Sequence, residues 1–311
     1  MAKRWKRTLV YLATAALARI GNFLPRRIAI LIGEFLGLAI YGFRSRERRS
    51  ALANLRRAFG QAYSPVRRRV IARKAYTTFG RSLVEMMRLR KWYAHQIRPE
   101  IEVIGEEHFR SAYERGRGVV VFTGHIGNYE LLATYVAQSG YKTAVIGRRI
   151  YDRRIDSLLV ANRTAMGILN LPSDSSPLSI VRRLNEGYAL GALIDTDSFR
   201  VAGELTPFFG RLAKTPTGPA QLGLMAGAAF IPMFCLSFPG GKYRIIMGEE
   251  LTPESYDRSR ENVYRLTCRM TRIIEQVIRE YPEQWIWPHN RWHTRPQEDD
   301  CRFLASQGIR V

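Results

Sequence analysis

Gly118-Val119-Val120-Val121-Phe122-Thr123-Gly124-His125-Ile126-Gly127-Asn128-Tyr129-Glu130-Leu131-Leu132-Ala133 is the stretch on which the fold turns. Its first half is apolar and β-branched and reads as a strand buried on both faces. Its second half opens a helix-like run that continues through Ala137. Between the two, a histidine sits in a strand-to-helix turn, with a carboxylate five positions on. Two residues five apart inside one helix point about 140° away from each other. His125 and Glu130 therefore converge only if the histidine lies in the turn and the glutamate in the first helical turn. Open α/β sheets carry their chemistry at the carboxyl ends of strands, where this histidine falls. A His–carboxylate pair there is a general base with an orienting partner; without that placement such a pair is more often structural. Gly124 and Gly127 let the backbone turn sharply and let a substrate approach.

Outward from this stretch the pattern is consistent. From about residue 100, strand-like runs at Ile101–Ile104, Gly118–Phe122, Thr143–Ile146, Ala189–Ile194, Ala229–Phe238 and Tyr243–Met247 alternate with helical ones. The helices are expected at Glu107–Arg115, Glu130–Gln138, Ser157–Met166, Ser179–Glu186, Gly218–Ala226 and Arg260–Glu280. The alternation predicts an α/β fold with a mixed, mostly parallel sheet flanked by helices. Residues 44–100 read as helices, with Leu55, Phe59, Val70, Ala75, Phe79, Leu83 and Met87 at helical spacing and arginine-rich opposite faces. Arg67-Arg68-Arg69 reads first as a solvated helix face. The aromatic, basic tail after Glu283 reads as a loop folded back on the domain.

The net charge of +22 is the compositional outlier. Of the Lys and Arg, 23 fall in the first 100 residues, against 4 acidic residues. Such a balance points to anionic partners: acidic lipid head groups, an acidic carrier protein, or nucleic acid. Nucleic acid is the weakest of these, because no helix-turn-helix, RRM or zinc-finger pattern is present. Cys235, Cys268 and Cys301 lie far apart without metal spacing, and Cys235 falls in an apolar strand.

Residues 1–43 form a separate N-terminal segment ahead of a domain over 44–311. Lys3-Arg4-Trp5-Lys6-Arg7 precedes one apolar run. Pro25-Arg26-Arg27 precedes a second, Ile28 to Phe43, broken by Glu34. Neither run is a clean span of about 20 apolar residues. The segment reads as membrane-associated helices that cross the bilayer or lie in its interface, with two buried helices of a soluble domain as the alternative. Gly33-x-x-x-Gly37 marks a possible helix-packing face.

At Gly124-His125-x-Gly127-Asn128-x-Glu130 the chain resembles the glycerolipid acyltransferases, and most closely the late acyltransferases of lipid A biosynthesis. Other blocks carry the same resemblance in order: Asn54-Leu55-Arg56-Arg57-Ala58-Phe59, Asp195-Thr196-Asp197, Pro207-Phe208-Phe209-Gly210, Thr215-x-Thr217-Gly218, and Pro282-Glu283-Gln284-Trp285-x-Trp287. The resemblance implies a lauroyl- or myristoyl-type O-acyltransferase at the cytoplasmic face of the inner membrane. It implies an acyl–acyl carrier protein donor, an anionic lipid A precursor as acceptor, and no metal or cofactor. A phospholipid or another glycolipid is the alternative acceptor.

For that chemistry His125 takes the proton of an acceptor hydroxyl, and Glu130 fixes its tautomer. Backbone N–H groups at Gly127 and Asn128 are expected to meet the oxyanion. Gly-x-Ser-x-Gly is absent, so direct attack is favoured over an acyl-enzyme. Arg148, Arg149 and Arg163 are candidate phosphate forks, Arg163 at a position where the family typically has an arginine. Asp195 ends a strand and either orients a basic group or acceptor hydroxyl, or caps a helix. Phe209, Gly210, Lys214 and Thr217 fall in what reads as an active-site loop. Trp285, Trp287 and Trp292 read as core or lid packing before they read as a lipid belt.

Overall fold

The computed structural model describes residues 22–147, 149–197 and 201–309, with a few isolated positions before 22. Most of the first apolar run, and Arg148, lie outside the described residues. Among the described residues from 22 on, three helices come first: α1 (Arg26–Phe43), α2 (Ser45–Phe59) and α3 (Pro65–Trp92). The α3 start is sharp because Ser64 caps it by accepting from Arg67 N–H and Pro65 occupies its first position. A seven-stranded sheet then runs in the order β1-β9-β8-β2-β5-β3-β4. Its strands are β1 (Ile101–Ile104), β2 (Val119–Thr123), β3 (Thr143–Gly147), β4 (Ile168–Pro172), β5 (Ala189–Leu193), β8 (Ala229–Phe238) and β9 (Lys242–Met247). All pairings are parallel except β8 with β9. The expected mixed, mostly parallel sheet is what forms.

Strand β2 lies in the middle and is buried at every position. Its side chains alternate between two cores, as a period of two requires. Val120 and Phe122 pack with α3, with α7 (Pro177–Asn185), α8 (Gly218–Ala226) and with α9 (Arg260–Glu280). Val119 and Val121 pack with α4 (Glu106–Glu114) and α5 (Tyr129–Gln138) on the other face. Helix α6 (Arg153–Ala165) links β3 to β4.

Helix α1 lies along α3. A Cβ on Gly33 would meet Gly80 O at 2.6 Å, so the glycine pattern in the sequence marks a true close approach. Glu34, which interrupts the apolar run, receives Arg81 Nε at 2.9 Å, and Arg26 pairs with fully buried Glu85 at 2.7 Å. The two helices α1 and α2 meet at 91°. Among the described residues no single helix is long and apolar enough to cross a membrane.

Three elements depart from the sequence reading. Residues 207–218, expected as an active-site loop leading into a helix, fall largely within an antiparallel hairpin of β6 (Gly203–Phe208) and β7 (Arg211–Pro216). Pro207 is tolerated because a two-stranded hairpin leaves one side of each strand unpaired. Phe209 and Gly210 make its turn, both with positive φ, 52° and 69°. Strand β4 escaped notice because it is a short edge strand, buried only at Ile168 and ending in proline. Helix α10 (Glu298–Ser306), in the tail read as loop, is set by a capping box between Gln297 and Asp300.

Candidate active site

The turn after β2 puts His125 where the parallel strands end. Gly127 has φ +57°, and a Cβ there would fall 2.0 Å from Cys235 O on β8. A Cβ on Gly124 would press on the Asp195 carboxyl at 3.0 Å. Both glycines thus exist for close packing of the turn. Asn128 caps α5, its Oδ1 accepting from Leu131 N–H at 3.1 Å. It is buried as a structural cap.

His125 Nδ1 lies 2.8 Å from Asp195 Oδ1, and His125 N–H donates to Asp195 Oδ2 at 2.7 Å. Trp285 Nε1–H donates to the same Oδ2 at 2.8 Å, the third bond to this carboxylate. Asp195 follows β5 and is fully enclosed. Burial alone would raise its carboxyl, but the neighbouring His125 and the three donors hold it well below the usual carboxylate range. An ionised carboxylate only accepts, so His125 carries its proton on Nδ1 and leaves Nε2 as the free lone pair. Burial pushes the imidazole down. The Asp195 charge and hydrogen bond, then the Glu130 charge, outweigh it and raise its affinity for a second proton.

Glu130 is not the hydrogen-bonded partner expected for His125. Arg163 on α6 grips it with a two-pronged fork, Nε to Oε2 at 3.0 Å and Nη2 to Oε1 at 2.6 Å. Arg163 Nη1 also donates to Asn170 on β4. Glu130 acts on His125 through charge, and the hydrogen-bonding role falls to Asp195. The expected oxyanion donors are also spent: Gly127 N–H bonds Gln284 O and Asn128 N–H bonds Cys235 O, each at 2.8 Å.

A cleft of 340 Å³ opens at His125. Its other walls are Ile40, Arg44 and Glu47 from α1 and α2, Ala75, Tyr76 and Phe79 from α3, and Gln284, Trp285 and Ile286. Tyr129 stands edge-on to His125, ring centres 5.1 Å apart, and burial pushes its phenol up so that it stays protonated. The cleft is apolar, with one base at its wall: a site for a hydrocarbon chain beside a group that removes a proton.

The family model for bacterial lipid A biosynthesis acyltransferases matches residues 2–294. The chain belongs to the lipid A biosynthesis acyltransferase family. Its relatives include the lipid A biosynthesis lauroyltransferase of Escherichia coli K12, 28% identical over 288 residues and 90% of each chain. The palmitoleoyltransferase of the same organism is 26% identical over 296 residues, again 90% of each. The phosphatidylinositol mannoside acyltransferase of Mycolicibacterium smegmatis is 26% identical over 285 residues, with the same coverage.

In this acyltransferase the sequence candidates divide. His125, Glu130, Arg163 and Asp195 form one connected network. Arg149 is 70% exposed, with Asp174 at 4.0 Å, and stays at the surface. Phe209, Gly210, Lys214 and Thr217 do not line the cleft. Phe209 packs edge-on to Phe59, Gly210 completes the hairpin turn, and Thr217 is buried at the start of α8. The Lys214 carbonyl accepts from Arg291, which also bonds Thr215 Oγ1 at 2.5 Å. Arg291 is fully buried, and burial pushes its guanidinium down to about 10, so it stays charged at neutral pH. It places a cation in the interior on which both Asp195 and Asp197 act. Trp285 is buried as expected, but its donation to Asp195 was missed. The visible signal was an indole in a block that had already matched the family. His289, in the same aromatic and basic tail, also has a contact that the sequence does not show: burial lowers its proton affinity, and its Nε2 accepts from Asp197 N–H at 3.2 Å.

Proposed function

We propose that this acyltransferase moves a fatty acyl chain from acyl–acyl carrier protein to a hydroxyl of a lipid A precursor. His125 Nε2 takes the proton as the hydroxyl oxygen attacks the thioester carbonyl. The carrier thiolate leaves and is reprotonated, so one ester forms as one thioester breaks. Asp195 holds the imidazole and stabilises the imidazolium. Glu130, held by the Arg163 fork, acts on the imidazole through its charge. The observation that carries this reading is the free Nε2 of a carboxylate-anchored histidine in the wall of an apolar cleft.

The reading includes the cytoplasmic face of the inner membrane. Ile28, Leu31, Phe35 and Leu38 make an exposed apolar stripe on α1, Leu31 63% and Phe35 69% exposed, while its other face is tied to α3 by ion pairs. Such a helix suits the interface plane. A phosphatidylinositol mannoside-like acceptor is the second reading, supported by the similarity to the mycobacterial relative. The deciding assay offers purified protein a labelled acyl–acyl carrier protein with each acceptor in turn. The expected product is an acylated lipid A precursor, lost in His125→Ala by about 10²–10⁴-fold. Transfer within threefold of wild type in that variant sinks the mechanism, and transfer to the mannoside alone moves the acceptor.

A further inference from the structure

From Arg44 to Lys74 the chain has eleven cations and one acidic residue, Glu47. Glu47 is bonded to Arg44. Arg46, Arg49, Arg56 and Arg57 lie on the exposed face of α2. Arg67, Arg69 and Arg73 continue the exposed charge on the first turns of α3. Among the described residues no carboxylate pairs with any of these seven. Elsewhere several exposed arginines do find one: Arg115 meets Glu250, Arg244 meets Glu102, and Arg260 meets Glu204. The uncompensated charge is crowded on this ridge, where the one acid in the segment is already taken by Arg44.

Its surroundings distinguish it from a lipid-facing surface. Helix α2 exposes no large apolar side chain, so it has nothing to immerse. The exposed apolar stripe belongs to α1, at 91° to it. The first turns of α3 instead mix arginine with exposed Val66 and Val70, and Arg67 stacks 3.8 Å over the Tyr63 ring. Arginine, tyrosine and small apolar groups together are the composition of a protein interface. The ridge also borders the cleft, since Arg44, Glu47 and Tyr76 line it.

We infer that α2 and the start of α3 form the docking ridge for an acidic carrier protein bearing the acyl thioester. The inference rests on the proposed acyl transfer and assigns its donor a surface. Acceptor lipid then arrives along α1 and donor along α2–α3, and the two meet at the bend where the cleft opens. Opposite charge speeds encounter and fixes orientation more than it adds affinity.

The test uses the full chain in neutral detergent, with Arg46→Glu, Arg49→Glu and Arg56→Glu combined. Three readouts are taken: binding of acyl–acyl carrier protein by anisotropy, turnover with it, and turnover with uncharged acyl-pantetheine. Binding and KM for the carrier donor should worsen at least about tenfold and lose their salt dependence. Turnover of acyl-pantetheine and binding to phosphatidylglycerol vesicles should stay within about twofold. The matching Arg→Lys triple should keep carrier binding. Unchanged carrier binding overturns the inference. Loss of vesicle binding alone makes the ridge a lipid face, and equal loss with both donors makes it part of the cleft; either result overturns it too. A wild-type chain that binds carrier but turns over neither donor sinks the acyl-transfer reading while leaving the ridge standing.

Discussion

Three donors converge on one carboxylate, and that fixes what each residue at the site can do. Asp195 is ionised and acceptor-only, so His125 presents Nε2 as base. Since Asp195 and Glu130 raise its proton affinity against burial, the neutral form needed for catalysis appears at higher pH than for an ordinary histidine. The rate should therefore rise with pH to a plateau, with its midpoint above about 6.5. In Asp195→Asn burial still opposes charge and the chief counterweight is gone. The midpoint should move to lower pH while the plateau drops about 10²–10⁴-fold. A pH–rate profile on both proteins checks this, and an unmoved midpoint would contradict the pairing. Arg163 acts one step further out. Arg163→Ala leaves buried Glu130 without its fork, whereas Arg153 is exposed. The first should lower kcat/KM at least about tenfold more than Arg153→Ala at one salt concentration, because unpairing a buried charge costs about 2–5 kcal/mol and a surface pair about 0–1. The sequence made His125 legible through its turn, but local spacing favoured Glu130 as partner. The true partner is 70 residues away, and only the parallel pairing of β2 with β5 brings it near.

Elements with strong periodicity were readable one by one. Arg260–Glu280 matches α9 residue for residue, and the β8 strand is likewise as read, since each buries a regular face over many residues. The β6–β7 hairpin was not readable, because its turn uses Phe209 where asparagine or glycine is usual and its strand contains Pro207. Packing of Phe209 against Phe59 and Trp287 compensates for that turn. The α1–α3 pair shows a different kind of information. Glu34 looked like a flaw in an apolar run, and it is a docking group for Arg81. The matching group on α3 is Glu85, fully buried between Arg26 and Arg88. Glu85→Ala leaves two buried guanidiniums without their carboxylate and should destabilise the protein by about 3–5 kcal/mol. Denaturant unfolding in detergent measures this; a loss under about 1 kcal/mol would mean that water already screens the pair.

Across the whole molecule, the first helices and the last segment close the same cleft. Ile40 and Arg44 form one wall and Gln284 to Ile286 another. Removing residues 1–43 should therefore do more than delete the exposed apolar stripe of α1. It strips Arg26 from Glu85 and Glu34 from Arg81, and it opens the cleft. The truncated chain should aggregate and lose transfer even in detergent, as light scattering and the acyl-transfer assay would register. A monodisperse, active truncation would show that α1 is dispensable to the fold. Two further stitches tie the ends together: Asn54 Nδ2 donates to Trp287 O at 2.9 Å and to His289 O at 2.7 Å. The indole that completes the Asp195 cage lies between these stitches and the β8 contact of Gln284. During synthesis it is among the last parts of the site to leave the ribosome. A nascent chain that already has its sheet holds His125 beside a carboxylate with two of its three donors and a cleft with one wall missing. The third donor and the missing wall then arrive in one step, when Gln284 to Ile286 fold back onto a base already in place.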